Sequence, residues 1–576
     1  MFNSRNPAFR YPTGAVAACL PVHFRIDMPR DLRCSAAHLL MRHDDDGTVD
    51  RYDMFWCGMN GDNHEWWECH YAAKKPGLYF YHFEVETWRG TLSLHRGFGG
   101  ESTMADGATD EWQMTVYDRS FHTPEWLVGG VMYQIFPDRF FRSRKPKHEV
   151  PKDRTLHPKW EGLPDWAPNE KGEITNSDYF GGDLPGITEK LDYLKSLGVT
   201  CLYLNPIFEA HSNHRYNTAN YERVDPLLGT EADFQVLCAE AKKRGMHVLI
   251  DGVFSHTGSD SIYFNREGRY RIKGAYNTQD SPYYAWYNFQ KWPDQYDCWW
   301  NFNTLPNVTE TEPSYDAYIN GKDGIVRRWL KAGASGWRLD VADELPDEFL
   351  DNLRVAVKSE NPDALVLGEV WEDASTKSAY GKRRKYFLGE ELDSVMNYPF
   401  RDAILGFLTG ADPAQMIEIV CNLLENYPPQ VIRILMNHIG THDTERALTI
   451  LAGEPVGSHG RKWQSKTKLT PEQRALGLER LRLAALMQFT LPGVPCIYYG
   501  DEAGMEGYKD PFNRAPYPWG HEDASLVAWY KGLGQMRGRL SCLREGSFVP
   551  LQADGHCLSY VRDDAVDALL VAINAG

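Results

Sequence analysis

The densest chemistry in the chain sits in Gly336-Trp337-Arg338-Leu339-Asp340. Val326, Trp329 and Leu330 form an apolar helical stripe before it. Gly333 and Gly336 break that helix, and residues 337–341 read as a short buried strand. Arg338 and Asp340 are two apart, so on a strand their side chains leave the same face. A cation beside a carboxylate lowers the acid's pKa and holds it ionised. Ionised and rigid is what a carboxylate nucleophile needs. The competing reading is a buried ion pair that only holds the fold, and this strand alone does not separate the two.

Further strands must position further groups. From about residue 130 the pattern alternates buried strands with amphipathic helices. Strands are expected at 131–136, 199–205, 247–251, 337–341, 364–369, 394–398, 432–436 and 495–499. Thr230 caps a helix that turns Phe234, Leu237, Cys238 and Ala241 to one side. Such alternation implies a parallel sheet with helices outside it, and eight repeats imply a closed (β/α)8 TIM barrel. Active sites of that fold lie at the C-terminal strand ends. Those ends carry Asn205, Asp251, His256, Arg338, Asp340, Glu369, His442 and Asp443. Asp340, Glu369 and Asp443 therefore converge.

Two carboxyls that differ in protonation suit glycosidic-bond cleavage. Asp340, beside Arg338, is expected to stay charged and attack the sugar carbon. Glu369 follows Gly368 among Leu367, Val370 and Trp371, where burial would keep it protonated as the acid. A retaining mechanism asks for about 5–5.5 Å between the pair, which neighbouring barrel strands supply.

The remaining chain sets the frame. Residues 1–125 read as an N-terminal β-sandwich, with half-buried alternation in Val22-His23-Phe24-Arg25-Ile26. Trp56, Trp66, Trp67 and Trp88 are read as its core in preference to sugar platforms. The barrel is placed at 126–535, with an inserted subdomain at about 257–314 rich in Tyr, Trp and Asn. Residues 536–576 read as a C-terminal β domain, apparently truncated. The formal net charge of −17 argues against nucleic acid and anionic membrane as partners. No segment reads as a signal peptide or a membrane span. The eleven Cys are scattered without a CxxC pair, which fits reduced thiols and a cytoplasmic location. His211 and His214 have HxxH spacing but no third ligand nearby, so no metal is expected there.

The chain resembles the α-amylase family of glycoside hydrolases, and most its cyclomaltodextrinase, neopullulanase and maltogenic-amylase branch. Four motifs in order carry the resemblance: Asp251-Gly252-Val253-Phe254-Ser255-His256, the 336–344 stretch ending in Asp343-Glu344, Gly368-Glu369-Val370-Trp371, and Gly440-Thr441-His442-Asp443. It implies Asp340 as nucleophile, Glu369 as acid/base and Asp443 as transition-state stabiliser. It further implies that His256 and His442 bind the sugar at the cleaved position and that Tyr216 is its stacking platform. Arg338 would orient Asp340, and Glu344 would touch the leaving-group side. The partners implied are α-glucan oligosaccharides or polysaccharides, and the bonds cut are α-1,4 with some α-1,6. A starch-binding-like N-terminal module implies a homodimer.

Departures from the family pattern bear on calcium. No cofactor is required by the mechanism. Relatives carry an Asn/Asp-rich calcium loop after Asp138-Arg139-Phe140, but this chain has Phe141-Arg142-Ser143-Arg144-Lys145. That cationic run is unsuited to a hard cation. Ser255 stands where the family commonly has Asn, and Asp343 where it commonly has Asn. Two rival readings stay open: a transglycosylase on the same site, and a non-catalytic carbohydrate-binding or assembly barrel.

Overall fold

Strands and helices alternate through most of the chain in the computed structural model, which describes residues 1–105, 110–147 and 150–576. Two compact units emerge. One gathers residues 1–123, 373–393 and 414–432; the other gathers 124–372, 394–413 and 433–576.

In the first unit an antiparallel sheet runs through Val22–Pro29, His64–Tyr71, Val49–Asn60, Ala36–His43, Gly77–Thr87 and Trp112–Tyr117. Val22–Pro29 alternates buried and half-buried residues along its whole length, as the sequence pattern requires. Phe24 meets Tyr81 at 5.1 Å although their strands are not ladder neighbours, so the two halves of the sheet face each other. Between them lie Phe24, Ile26, Leu39, Met41, Phe83 and Trp112. The tryptophan expectation needs correcting. Trp112 fills this core, whereas Trp56 is 54% and Trp88 60% exposed and Trp67 only partly buried. Val49–Asn60 turns nearly all its side chains outward, and alternation within one strand could not reveal that. The later segments are tied in by charge. Arg5 bonds Glu418 (2.8 Å), Glu425 (3.1 Å) and Asn422 (2.7 Å), and Gln113 bonds Ser375 (2.9 Å).

The second unit holds the barrel. Its strands are β1 (Met132–Ile135), β2 (Cys201–Leu204), β3 (His247–Gly252), β4 (Gly336–Leu339), β5 (Leu365–Gly368), β6 (Ser394–Val395), β7 (Met436–His438) and β8 (Val494–Tyr498). Among the described residues they form one parallel eight-stranded sheet in the order β6-β5-β4-β3-β2-β1-β8-β7. A lone bridge, Met396 to Met436, closes β6 onto β7. The interior is filled by Met132, Cys201, Tyr203, Leu249, Leu365, Leu367, Met436 and Cys496. Thr230 caps the helix Glu231–Lys243 through a reciprocal bond with Asp233. The segment after β3 carries a buried aromatic cluster that includes Tyr263, Phe264, Trp286 and Tyr287. A three-stranded antiparallel sheet, Ser547–Asp554, Cys557–Asp563 and Ala568–Asn574, comes after the helix Ala524–Arg539. No helix among the described residues is long and apolar enough to cross a membrane.

The expected seventh strand at 432–436 is displaced. Residues 429–432 form a helical turn in which Val431 and Ile432 donate to the Pro428 carbonyl at 2.9 and 3.1 Å. The strand is instead Met436-Asn437-His438, all buried. Asn437 can serve there because its amide and its carbonyl are answered. Asn437 accepts from Asn397 Nδ2 and donates to the Pro492 carbonyl, both at 2.8 Å, and its carbonyl accepts from Gln488 at 3.0 Å. Asn437→Ala would orphan two buried groups beside the closing bridge, at about 1–3 kcal/mol each. Thermal and urea unfolding should therefore show a loss of at least about 1 kcal/mol. A variant as stable as the parent would refute the role given to this amide.

Candidate active site

At the C-terminal ends of β3, β4 and β5 one buried guanidinium meets three acids. Arg338 Nη1 lies 2.8 Å from both Asp251 Oδ1 and Asp340 Oδ1, and Nη2 lies 2.7 Å from Glu369 Oε2. The register explains it: Asp251 pairs with Arg338, and Leu339 with Gly368, so the side chains rise from adjacent strand ends. Tyr203 and Tyr216 complete Asp251, donating to its Oδ2 at 2.7 and 2.9 Å.

The chain turns sharply after Asp340. Val341 sits at φ 42°, ψ 61°, a left-handed conformation that a β-branched residue adopts only under constraint. The constraint is visible, since its N–H donates to Glu369 Oε2 at 2.9 Å. Trp371 Nε1 donates to Glu369 Oε1 at 3.0 Å, and its indole stacks on Tyr398 at 4.0 Å. Each Glu369 oxygen thus has a fixed neighbour.

Asp443 stands at the open rim, its side chain 35% exposed. His442 Nε2 is 3.0 Å from its Oδ2, and Arg514 Nη2 is 3.3 Å from its Oδ1. Crowding by the protein raises the Asp443 pKa, but His442, Arg514 and Arg338 outweigh this and hold it below the ordinary value. Gln134 donates to His442 Nδ1 at 2.9 Å, which leaves the proton on Nε2, 2.6 Å from the Tyr216 oxygen. Tyr216 and His442 lie parallel, with ring centroids 5.2 Å apart. His256 is neutral, because burial lowers its pKa to about 4. Its Nε2 faces the Tyr216 carbonyl at 3.1 Å and its Nδ1 the Ser255 hydroxyl at 3.0 Å.

The structure thus brings Asp340, Glu369, Arg338, Asp443, His442, Tyr216 and His256 into one hydrogen-bonded neighbourhood. Glu344 lies on a short 3-10 turn, Ala342–Glu344, beside Glu310 from the inserted segment. One expectation is corrected. Burial, together with Glu369, Asp251 and Asp443, pushes the Asp340 carboxyl well above its ordinary pKa against the lowering by Arg338. The guanidinium is divided among three acids. Sequence reasoning missed Arg514, which lies in a turn without periodicity, and the donors Trp371 and Val341. Only the left-handed backbone reveals Val341. His211 and His214 are engaged by protein groups: His211 Nδ1 meets Asp153 Oδ2 at 2.9 Å, and His214 Nδ1 accepts from the Tyr216 N–H at 3.1 Å.

Similarity to known proteins is extensive. The family model described as alpha amylase, catalytic domain, matches residues 134–535. An amylopullulanase of Thermoanaerobacter thermohydrosulfuricus is 35% identical over 614 residues, 97% of this chain and 40% of its own. Neopullulanase 2 of Thermoactinomyces vulgaris is 34% identical over 466 residues, 78% of this chain and 70% of its own. A solved structure of a cyclomaltodextrinase superposes with a TM-score of 0.70 at 28% identity, covering 100% of this chain and 90% of that one. The chain spans 40, 45 and 31% of the length of three amylopullulanases to which it is similar.

Glu310 yields a pH test. Burial, with Glu344 adding to it, pushes its pKa from 4.5 to about 8. A carboxyl raised on folding contributes stability that is full below pH 4.5 and lost as pH rises through about 8. Glu310→Gln, which mimics the protonated form, should flatten the fall in melting temperature across that window. An unchanged pH profile would place Glu310 in ordinary solvent.

Proposed function

The chain belongs to the α-amylase family, and from that premise we propose that it is a retaining α-glucan hydrolase. Its proposed substrates are maltooligosaccharides, cyclodextrins, pullulan or starch, cut at α-1,4 bonds with some α-1,6 cleavage. The relatives named neopullulanase, cyclomaltodextrinase and maltogenic alpha-amylase supply the substrate class. The observation that carries the reading is the single guanidinium holding Asp340 and Glu369 on its two terminal nitrogens. That arrangement favours the short separation, about 5–5.5 Å, that a retaining pair requires.

In this reading the Asp340 carboxylate attacks the anomeric carbon while Glu369 delivers its proton to the departing oxygen. The glycosidic C–O bond breaks and a glycosyl-Asp340 ester forms. Glu369, now a base, takes a proton from water, whose oxygen displaces Asp340 and frees the sugar. Asp443, kept ionised by His442 and Arg514, faces the positive charge that develops on the ring. His442 and His256 bind its hydroxyls, Tyr216 offers a ring to its apolar face, and Glu344 lies toward the leaving group.

The first unit's exposed Phe55, Trp56 and Met59 on one strand support a homodimer through that module. The free cysteines support a reducing, cytoplasmic setting. Light scattering at assay concentration should give twice the chain mass; a monomer would remove the dimer.

Asp340→Asn should abolish cleavage of β-cyclodextrin and pullulan while circular dichroism stays unchanged. An active, folded Asp340→Asn protein would remove the nucleophile role. Glu369→Gln should lose about 10²-fold or more on natural glucans yet far less on glycosides with an activated leaving group, which need little protonation. Equal losses on both would argue against the acid.

A further inference from the structure

The family resemblance implies a structural calcium between the loop after Phe140 and the Gly181-Gly182-Asp183 turn, yet the residues present do not fit one. Calcium takes six to eight oxygens at about 2.3–2.6 Å. Here the available oxygens already serve N–H and O–H donors. Asp183 Oδ1 accepts from the Gly186 N–H at 2.7 Å and from the Ser143 N–H at 3.3 Å. Its Oδ2 accepts from the Ser143 hydroxyl at 2.8 Å and from the Lys147 ammonium. The same ammonium reaches the Leu227 carbonyl at 2.9 Å. Arg142 takes the Phe180 carbonyl at 2.7 Å and the His157 carbonyl at 2.9 Å. Asp138 is filled by the Phe180 and Gly181 N–H groups at 2.9 and 3.0 Å and by Arg139 Nε at 2.7 Å. A divalent ion would displace these donors and stand against two positive side chains.

We propose that Lys147 is the resident cation of this loop. Its ammonium ties Asp183 at the start of the helix Leu184–Glu189 to Leu227 in the chain leading to the helix Glu231–Lys243, the bridging work a metal would do. Arg142 locks the neighbouring carbonyls. The mouth of the barrel between β1 and β2 thereby depends on a side chain and not on calcium. Removing one partner of a buried pair leaves the other charge uncompensated, so the lysine's loss should be felt directly.

The test uses the whole chain and reads thermal unfolding. The wild type should keep the same melting temperature in excess EDTA and in millimolar calcium. Lys147→Met should lower it by at least about 2 °C, calcium should not restore the loss, and Lys147→Arg should recover most of it. The proposal is overturned if EDTA lowers the wild-type midpoint, calcium restores it and Asp183→Asn abolishes that response. It is equally overturned if Lys147→Met melts with the parent. Should Lys147→Met not fold, the chelator arm and Lys147→Arg carry the test, because a folded Lys147→Arg isolates the charge.

Discussion

The acids at the ends of β3, β4 and β5 are arranged around one cation that water cannot reach. Arg338 is fully buried and its charge is shared by Asp251, Asp340 and Glu369. An arginine in that position cannot give up its proton and presents its donors in a fixed plane. It therefore fixes where three acids from three strands must stand. One positive charge among three buried carboxylates leaves Asp340 short of compensation, and burial with its acidic neighbours raises its carboxyl above the ordinary value.

That imbalance explains where sequence reasoning succeeded and where it did not. Asp340, Glu369 and Asp443 were legible because strand-end polar residues in a barrel have nowhere else to go. The charge state of Asp340 was not, since spacing shows Arg338 beside it but not the division of that cation among Asp251 and Glu369 as well. Six of the barrel strands lie within or beside the apolar runs that announced them, and β6 survives as two residues of a weak one. β7 does not keep to its run, because its buried side chains include an amide and an imidazole, and the amide's partners are remote in sequence. Trp56 was misread for a related reason: a strand that faces solvent on both sides carries no signal of it in its alternation. Trp88 instead sits exposed in the turn between Gly77–Thr87 and Gly90–Arg96.

The left-handed Val341 shows how function and packing meet. The turn after Asp340 could be relaxed by a glycine, yet a β-branched residue occupies it with its N–H on Glu369. Strain of this kind persists only when the surroundings over-determine it. Here the surroundings are two adjacent strands and the shared arginine. Asp340 and Glu369 are thus held to each other by main chain as well as by charge.

The weave of the first unit bears on how such a chain changes over generations. Its first 123 residues are closed by two later excursions, 373–393 and 414–432, with Arg5 gripping Glu418, Asn422 and Glu425. A recombination joint near residue 124 would carry the arginine away from all three acceptors. Separating the module from these distant closures would also cost Arg96 its bond to Glu418, so the closures and the first 123 residues form one charged unit.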